Sequence, residues 1–145
     1  MAPLTGWPSM VGNQGIAADD SSAQNKAGVR MMDTSGNVWR YVKVSGSSAA
    51  ATIAGSVVRL KDASTDLNIV TPDVSEAAAA AARVVGVAQS AITAGNYGWI
   101  MISGVATVAT DGGVSADEYL VGHTVDHEAD TMADGEEEQV FGIAL

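Results

Sequence analysis

The chain has no cysteine, so neither a disulfide nor a thiolate metal site can hold it together and its stability rests on packing alone. No apolar run approaches the ~18 residues of a membrane-spanning helix. The first twenty residues lack the basic start and unbroken apolar centre of a secretory signal, so a membrane partner is not expected. Aromatics are scarce, with three Trp, three Tyr and one Phe, while Ala, Val and Gly are plentiful, and this calls for a narrow interior. Reaction motifs are missing too. There is no Gly-x-Ser-x-Gly elbow, no His-Glu-x-x-His pair and no Gly-rich loop closed by Lys-Ser/Thr, so neither an enzyme nor a cofactor is expected.

Positive charge is absent from a whole segment. All seven Lys and Arg lie at or before residue 83, where seven carboxylates balance them. The ten later carboxylates have no basic residue near them in sequence and carry the entire net charge of −10. A surface of that sign repels phosphate backbones and argues against direct nucleic-acid binding, and it keeps a protein soluble.

What is present fits one domain of 145 residues, or one domain with an arm. Residues 1–35 are broken by Pro3, Gly6, Pro8, Gly12 and Gly15 and then by Asp19-Asp20-Ser21-Ser22, so no regular period survives. Yet Leu4, Trp7, Met10, Val11 and Ile16 are large apolar groups that so irregular a segment cannot bury by itself. The reading is an extended N-terminal arm, residues 1–35, that binds a partner surface through these five residues.

Residues 36–145 read as a β-domain. Gly36-Asn37 is a turn pair, and Val38-Trp39-Arg40-Tyr41-Val42-Lys43-Val44 is rich in β-branched and aromatic residues. Residues 56–61 alternate, with Val58 and Leu60 facing in and Arg59 and Lys61 facing water. Residues 67–70 form a short strand stopped by Thr71-Pro72. Residues 75–83 carry the one helical signal, alanine-rich with Ser75 as a cap, though two turns need docking to persist.

Residues 84–88 are again extended, and residues 92–108, ITAGNYGWIMISGVATV, form the centre of the chain. Gly95-Asn96 suits a type II′ hairpin turn. Beyond it Tyr97, Trp99 and Met101 alternate with Gly98, Ile100, Ile102 and Gly104. Both sets are largely apolar, which predicts a strand covered on both faces, with Gly98 and Gly104 marking close backbone approach or a bend. Trp39, Tyr97, Gly98, Trp99, Ile100, Ile102 and Gly104 are the expected structural core. Residues 105–110 and 119–121 are further strand candidates, 123–138 an acidic loop or loose hairpin, and 139–145 an apolar return to the sheet. Roughly seven or eight short strands with little helix predict a small β-barrel or sandwich.

Residues 83–106, RVVGVAQSAITAGNYGWIMISGVA, resemble the small β-rich decoration proteins, also called cement or head-stabilising proteins, that coat the capsids of tailed bacteriophages. The resemblance covers about two dozen residues and extends to the rest in outline: an irregular arm, a Gly/Ala/Val-rich β-domain and an acidic balance. It implies a tulip-like barrel of the lambda type, bound as a homo-oligomer, a trimer favoured, to the major capsid protein on the outer surface of the virion. No catalytic residues come with it. The acidic residues 126–138 have no counterpart in that pattern.

Two other chemistries fit the residues less well. His123 and His127 with Asp126, Glu128 and Asp130 offer metal ligands, but a paired-imidazole site needs a helix that Thr124 and Val125 disfavour, and the carboxylates are out of register for a calcium loop; solvated histidines and no metal are expected. The alternative binding role is a head-fibre or glycan-binding module in which exposed Trp39, Tyr41 or Tyr119 stacks on sugars.

Overall fold

The computed structural model describes residues 16–47, 51–62, 66–73, 84–122, 127–132 and 140–145. Among them are nine strands and no helix: β1 (Arg30–Met32), β2 (Val38–Val44), β3 (Ser56–Asp62), β4 (Asp66–Thr71), β5 (Val84–Ala88), β6 (Tyr97–Ser103), β7 (Tyr119–Gly122), β8 (Ala129–Thr131) and β9 (Gly142–Ile143). Five of them close a barrel in the order β2-β4-β3-β5-β6, with β6 pairing back to β2. Closure pairs the strand edges that an open sheet would leave bare. The protein is a small, mainly-β barrel.

β2 holds the barrel together because it meets three strands. One edge runs antiparallel to β6 from Val38↔Ser103 to Lys43↔Tyr97. The other edge is shared: its first half takes β1, with Met31 opposite Trp39, and its second half takes β4 in parallel, with Val44 opposite Val70. Residues 30–32, placed in the arm by composition, are thus a strand of the barrel sheet. Three residues with an arginine among them carry no readable period; pairing with β2 makes them a strand.

Alternation along β2 and β6 builds two cores. Val42, Val44 and Ile100 point inward and meet Val58, Val70, Ala88 and Ile92, all fully buried. Trp39, Tyr41, Trp99 and Met101 point outward and form a second cluster with Met31, covered by Ala18 and Ala106. Tyr41 packs against Trp99 with the rings tilted by 59° and their centroids 5.1 Å apart. The central strand is covered on both faces, as its two apolar sets predict.

A smaller sheet, ordered β8-β7-β9, packs beside the barrel through Val57, Val84, Val108, Ala129 and Phe141. His127 joins the two. It adopts a positive φ of 75°, its amide donates to the Pro72 carbonyl, and its own carbonyl accepts from Val57.

Four expectations are corrected. The turn before β6 closes with the Asn96 amide on the Thr93 carbonyl, which puts Gly95, φ 87°, at the third position; that is the glycine of a type II turn, not of II′. Residues 105–110 are not a strand, since Gly104 leaves the sheet at φ 126° and only Thr110 makes a bridge, to Ala129. Residues 129–131, inside the stretch read as a loop or loose hairpin, are β8. Arg59, expected in water, is 3% exposed, with its Nε donating to the Asp73 carbonyl at 2.6 Å. The helical signal over 75–83 lies outside the described residues.

Candidate functional site

Two surface features bear on function: the way residues 16–35 are fastened to the barrel, and an apolar groove at its side. The fastening is made by three carboxylates. Asp19 accepts from the Thr93 amide and hydroxyl and from Asn96 Nδ2, at 2.9, 2.7 and 2.8 Å. Burial pushes its carboxyl up, but these bonds outweigh it and hold the group below its ordinary range. Asp20 accepts from the Tyr41 hydroxyl at 2.7 Å, and its backbone bridges Tyr97. Burial, and then this bond, push the Tyr41 phenol up to about 12. Asp33 accepts from Trp39 Nε1, from Asn37 Nδ2 and amide, and from the Ser35 amide, and these donors, Trp39 first, hold its carboxyl down at about 2. None of the three was singled out by sequence, because their partners lie up to 77 positions away.

The groove opens where two strands part. β5 and β6 pair only at Val87↔Met101 and Ala88↔Ile100. Residues 84–87 and 101–106 line a half-open hollow of about 570 Å³, together with Leu120 and residues 140–145. Among the described residues its lining contains no ionisable side chain; Ser103 and Thr110 supply hydroxyls and the other side chains are apolar or absent. Val105, Ile143 and Leu145 at its margin are 71%, 53% and 89% exposed. The described part of this surface is suited to apolar groups.

The residues expected to matter fall as follows. Leu4, Trp7, Met10 and Val11 lie outside the described residues, while Ile16 is exposed. Trp39, Trp99 and Ile100 are buried, and Tyr97 and Ile102 are half-buried against the outer and inner clusters. Gly98 is buried under the Ala18 carbonyl, and Gly104 is exposed at the groove. Trp39 and Tyr41 are 2% and 0% exposed, so of the three sugar-stacking candidates only Tyr119, at 50%, presents a ring.

His123 and Asp126 are outside the described residues, and no cluster of metal-ligating side chains occurs among the described ones. His127 is not a solvated loop residue. Its Nδ1 lies 3.0 Å from Ser56 Oγ; that serine has no accessible surface and its hydroxyl accepts from the Ile53 amide, so the pair braces two elements. Comparison with protein-family models, with curated proteins and with solved structures gives no match to this chain.

Proposed function

We propose that the protein is a capsid decoration protein of a tailed bacteriophage, bound to the outer surface of the head, where it bridges major capsid protein subunits and stabilises the shell against internal DNA pressure. The observation that carries this reading is a groove whose described lining has no ionisable side chain and whose margin leaves Val105, Ile143 and Leu145 exposed beside a closed barrel: a surface suited to being covered. The sequence resemblance over residues 83–106 supplies the identity of the partner. Residues 1–15, with Leu4, Trp7, Met10 and Val11, provide contacts beyond the barrel, and a homotrimer would multiply them. Modest contacts to several shell subunits then add up to firm retention.

The glycan-binding alternative is less well supported, because two of its three aromatic residues are in the core. The experiment is to mix the purified chain with expanded, undecorated heads of the phage that encodes it and image them. Saturable density at fixed positions on the outer lattice is expected; bare shells would refute the reading.

A further inference from the structure

Two arginines stand side by side on the barrel sheet, and among the described residues neither makes an ion pair. Arg30 of β1 is the direct register partner of Arg40 of β2, so both side chains project from the same face. We propose that they form a site for a carboxylate, supplied by an acidic side chain of the shell protein. The chemistry of the site stands on these residues; the choice of partner rests on the decoration reading.

Like charges directly opposite on paired strands destabilise the pair. Burial first, and then the Arg30 charge, hold the Arg40 guanidinium below its ordinary value, while Asp66 acts the other way and comes last. An oxyanion set between the two guanidiniums turns this repulsion into charge-assisted contacts.

Arg40 is held before any ligand arrives. Its Nη2 donates to the Leu67 carbonyl at 2.7 Å and to Asn68 Oδ1 at 2.9 Å, and Asn68 is itself positioned by Asp66, which accepts from its amide at 2.8 Å. Its Nε is sealed from solvent without an acceptor, whereas Nη1 is neither bonded nor sealed among the described residues and is the donor left for an incoming oxygen. A donor already fixed loses little freedom on binding.

The surroundings select a protein partner. Met32, two residues along β1, is 50% exposed, and Leu67, whose carbonyl holds Arg40, is 55% exposed. Arginine beside exposed apolar side chains is the composition of interface centres. A net charge of −10 repels a nucleic acid as a whole, but not a single carboxylate, because repulsion beyond ~8 Å is screened at physiological salt. The site also adjoins the surface that the decoration reading leaves to be covered. Val38 pairs with Met32 on one side and with Ser103, which lines the groove, on the other, so the two regions are two strand spacings, roughly 10 Å, apart. One partner surface spans both.

The test has two arms. In the free, full-length ¹⁵N-labelled chain, sodium sulfate serves as the oxyanion and sodium chloride at equal ionic strength as its control. The Arg40 Nε–H signal, shielded from solvent exchange, should shift saturably with sulfate and not with chloride, and the shift should vanish in Arg30→Gln, an exposed position. No shift, or the same unsaturable shift in both salts, would overturn the site. In the second arm wild type, Arg30→Gln and Lys26→Gln are bound to undecorated heads. Arg30→Gln should weaken binding by at least about tenfold, as loss of one member of an interfacial charge pair does, while Lys26→Gln, an equal loss of charge at another exposed residue, should leave it nearly unchanged. Wild-type binding with no effect of Arg30→Gln would overturn the inference and leave the decoration reading standing. Heads left bare by the wild type would refute that reading and the partner with it, whatever sulfate does. Loss of self-association of the free chain in Arg30→Gln, seen by sedimentation velocity, would place the carboxylate on a second copy and overturn the shell assignment.

Discussion

The two buried tryptophans show how much a single hydrogen bond decides. Trp39 and Trp99 share the outer face of the barrel, and both are nearly inaccessible. Trp39 Nε1 donates to Asp33 at 2.9 Å, whereas Trp99 Nε1 has no acceptor among the described residues. A buried donor left without a partner costs about 1–3 kcal/mol. Replacement by Phe removes a satisfied bond in one case and an unmet demand in the other. Urea unfolding should therefore show Trp39→Phe as the more destabilising change, with Trp99→Phe smaller despite equal loss of ring area; the reverse order would mean that Trp99 has found an acceptor. Gly98 offers a second check at this scale. A Cβ there would sit 2.6 Å from Ile92 Cδ1 and 2.7 Å from the Ala18 carbonyl oxygen. Both neighbours are held, one in the barrel core and one by the Asp19 and Asp20 contacts, so Gly98→Ala should cost about 1–3 kcal/mol of unfolding free energy, as overpacking does. A change within error would show that residues 16–20 yield easily.

Strands β2, β5 and β6 were legible because side-chain pattern and backbone pairing agree in them: Val38–Val44 and Val84–Ala88 are found at the limits that their β-branched runs suggest. β1 and β8 were not, since RMM and ADT have three residues each and no intrinsic strand signal; neighbours at long sequence separation impose their conformation. The same limit hid the fastening of residues 16–33, which depends on Asp19, Asp20 and Asp33 reaching elements that sequence could not place beside them. This fastening is open to acid. Asp19 and Asp33 titrate below the ordinary value of 3.8, Asp33 at about 2. A carboxyl whose folded pKa is depressed contributes stability that is present above its unfolded pKa and lost as pH falls through the folded one. Between pH 3.8 and about 2, then, residues 16–33 should loosen first. Hydrogen exchange reads this directly: the Tyr97 amide, bonded to the Asp20 carbonyl at 2.8 Å, should lose protection while amides in the β3–β5 ladder keep theirs. Simultaneous loss in both places would show that the segment is not a separate cooperative unit.

At the scale of the whole molecule, the first 35 residues divide into two parts with different physical roles. Sequence alone joins them, because neither carries a regular period, but Ala18, the three carboxylates and β1 belong to the covering of the outer core. Removing residues 1–35 would uncover Trp39, Tyr41, Trp99 and Met101 together. At about 1.5–3 kcal/mol for each buried large side chain, the loss is on the order of 5–10 kcal/mol, comparable with the entire stability of an ordinary domain. That truncation should give a chain without a cooperative thermal transition, and its failure to bind shells would say nothing about contact residues. Removing residues 1–15 leaves every carboxylate contact and β1 in place. It should retain a single cooperative transition by calorimetry while its occupancy on undecorated shells falls severalfold. If the shorter truncation melts normally and still saturates the shells, the apolar residues Leu4, Trp7, Met10 and Val11 are not the contact, and attachment must run through the barrel and the exposed margin of the groove at Val105, Ile143 and Leu145.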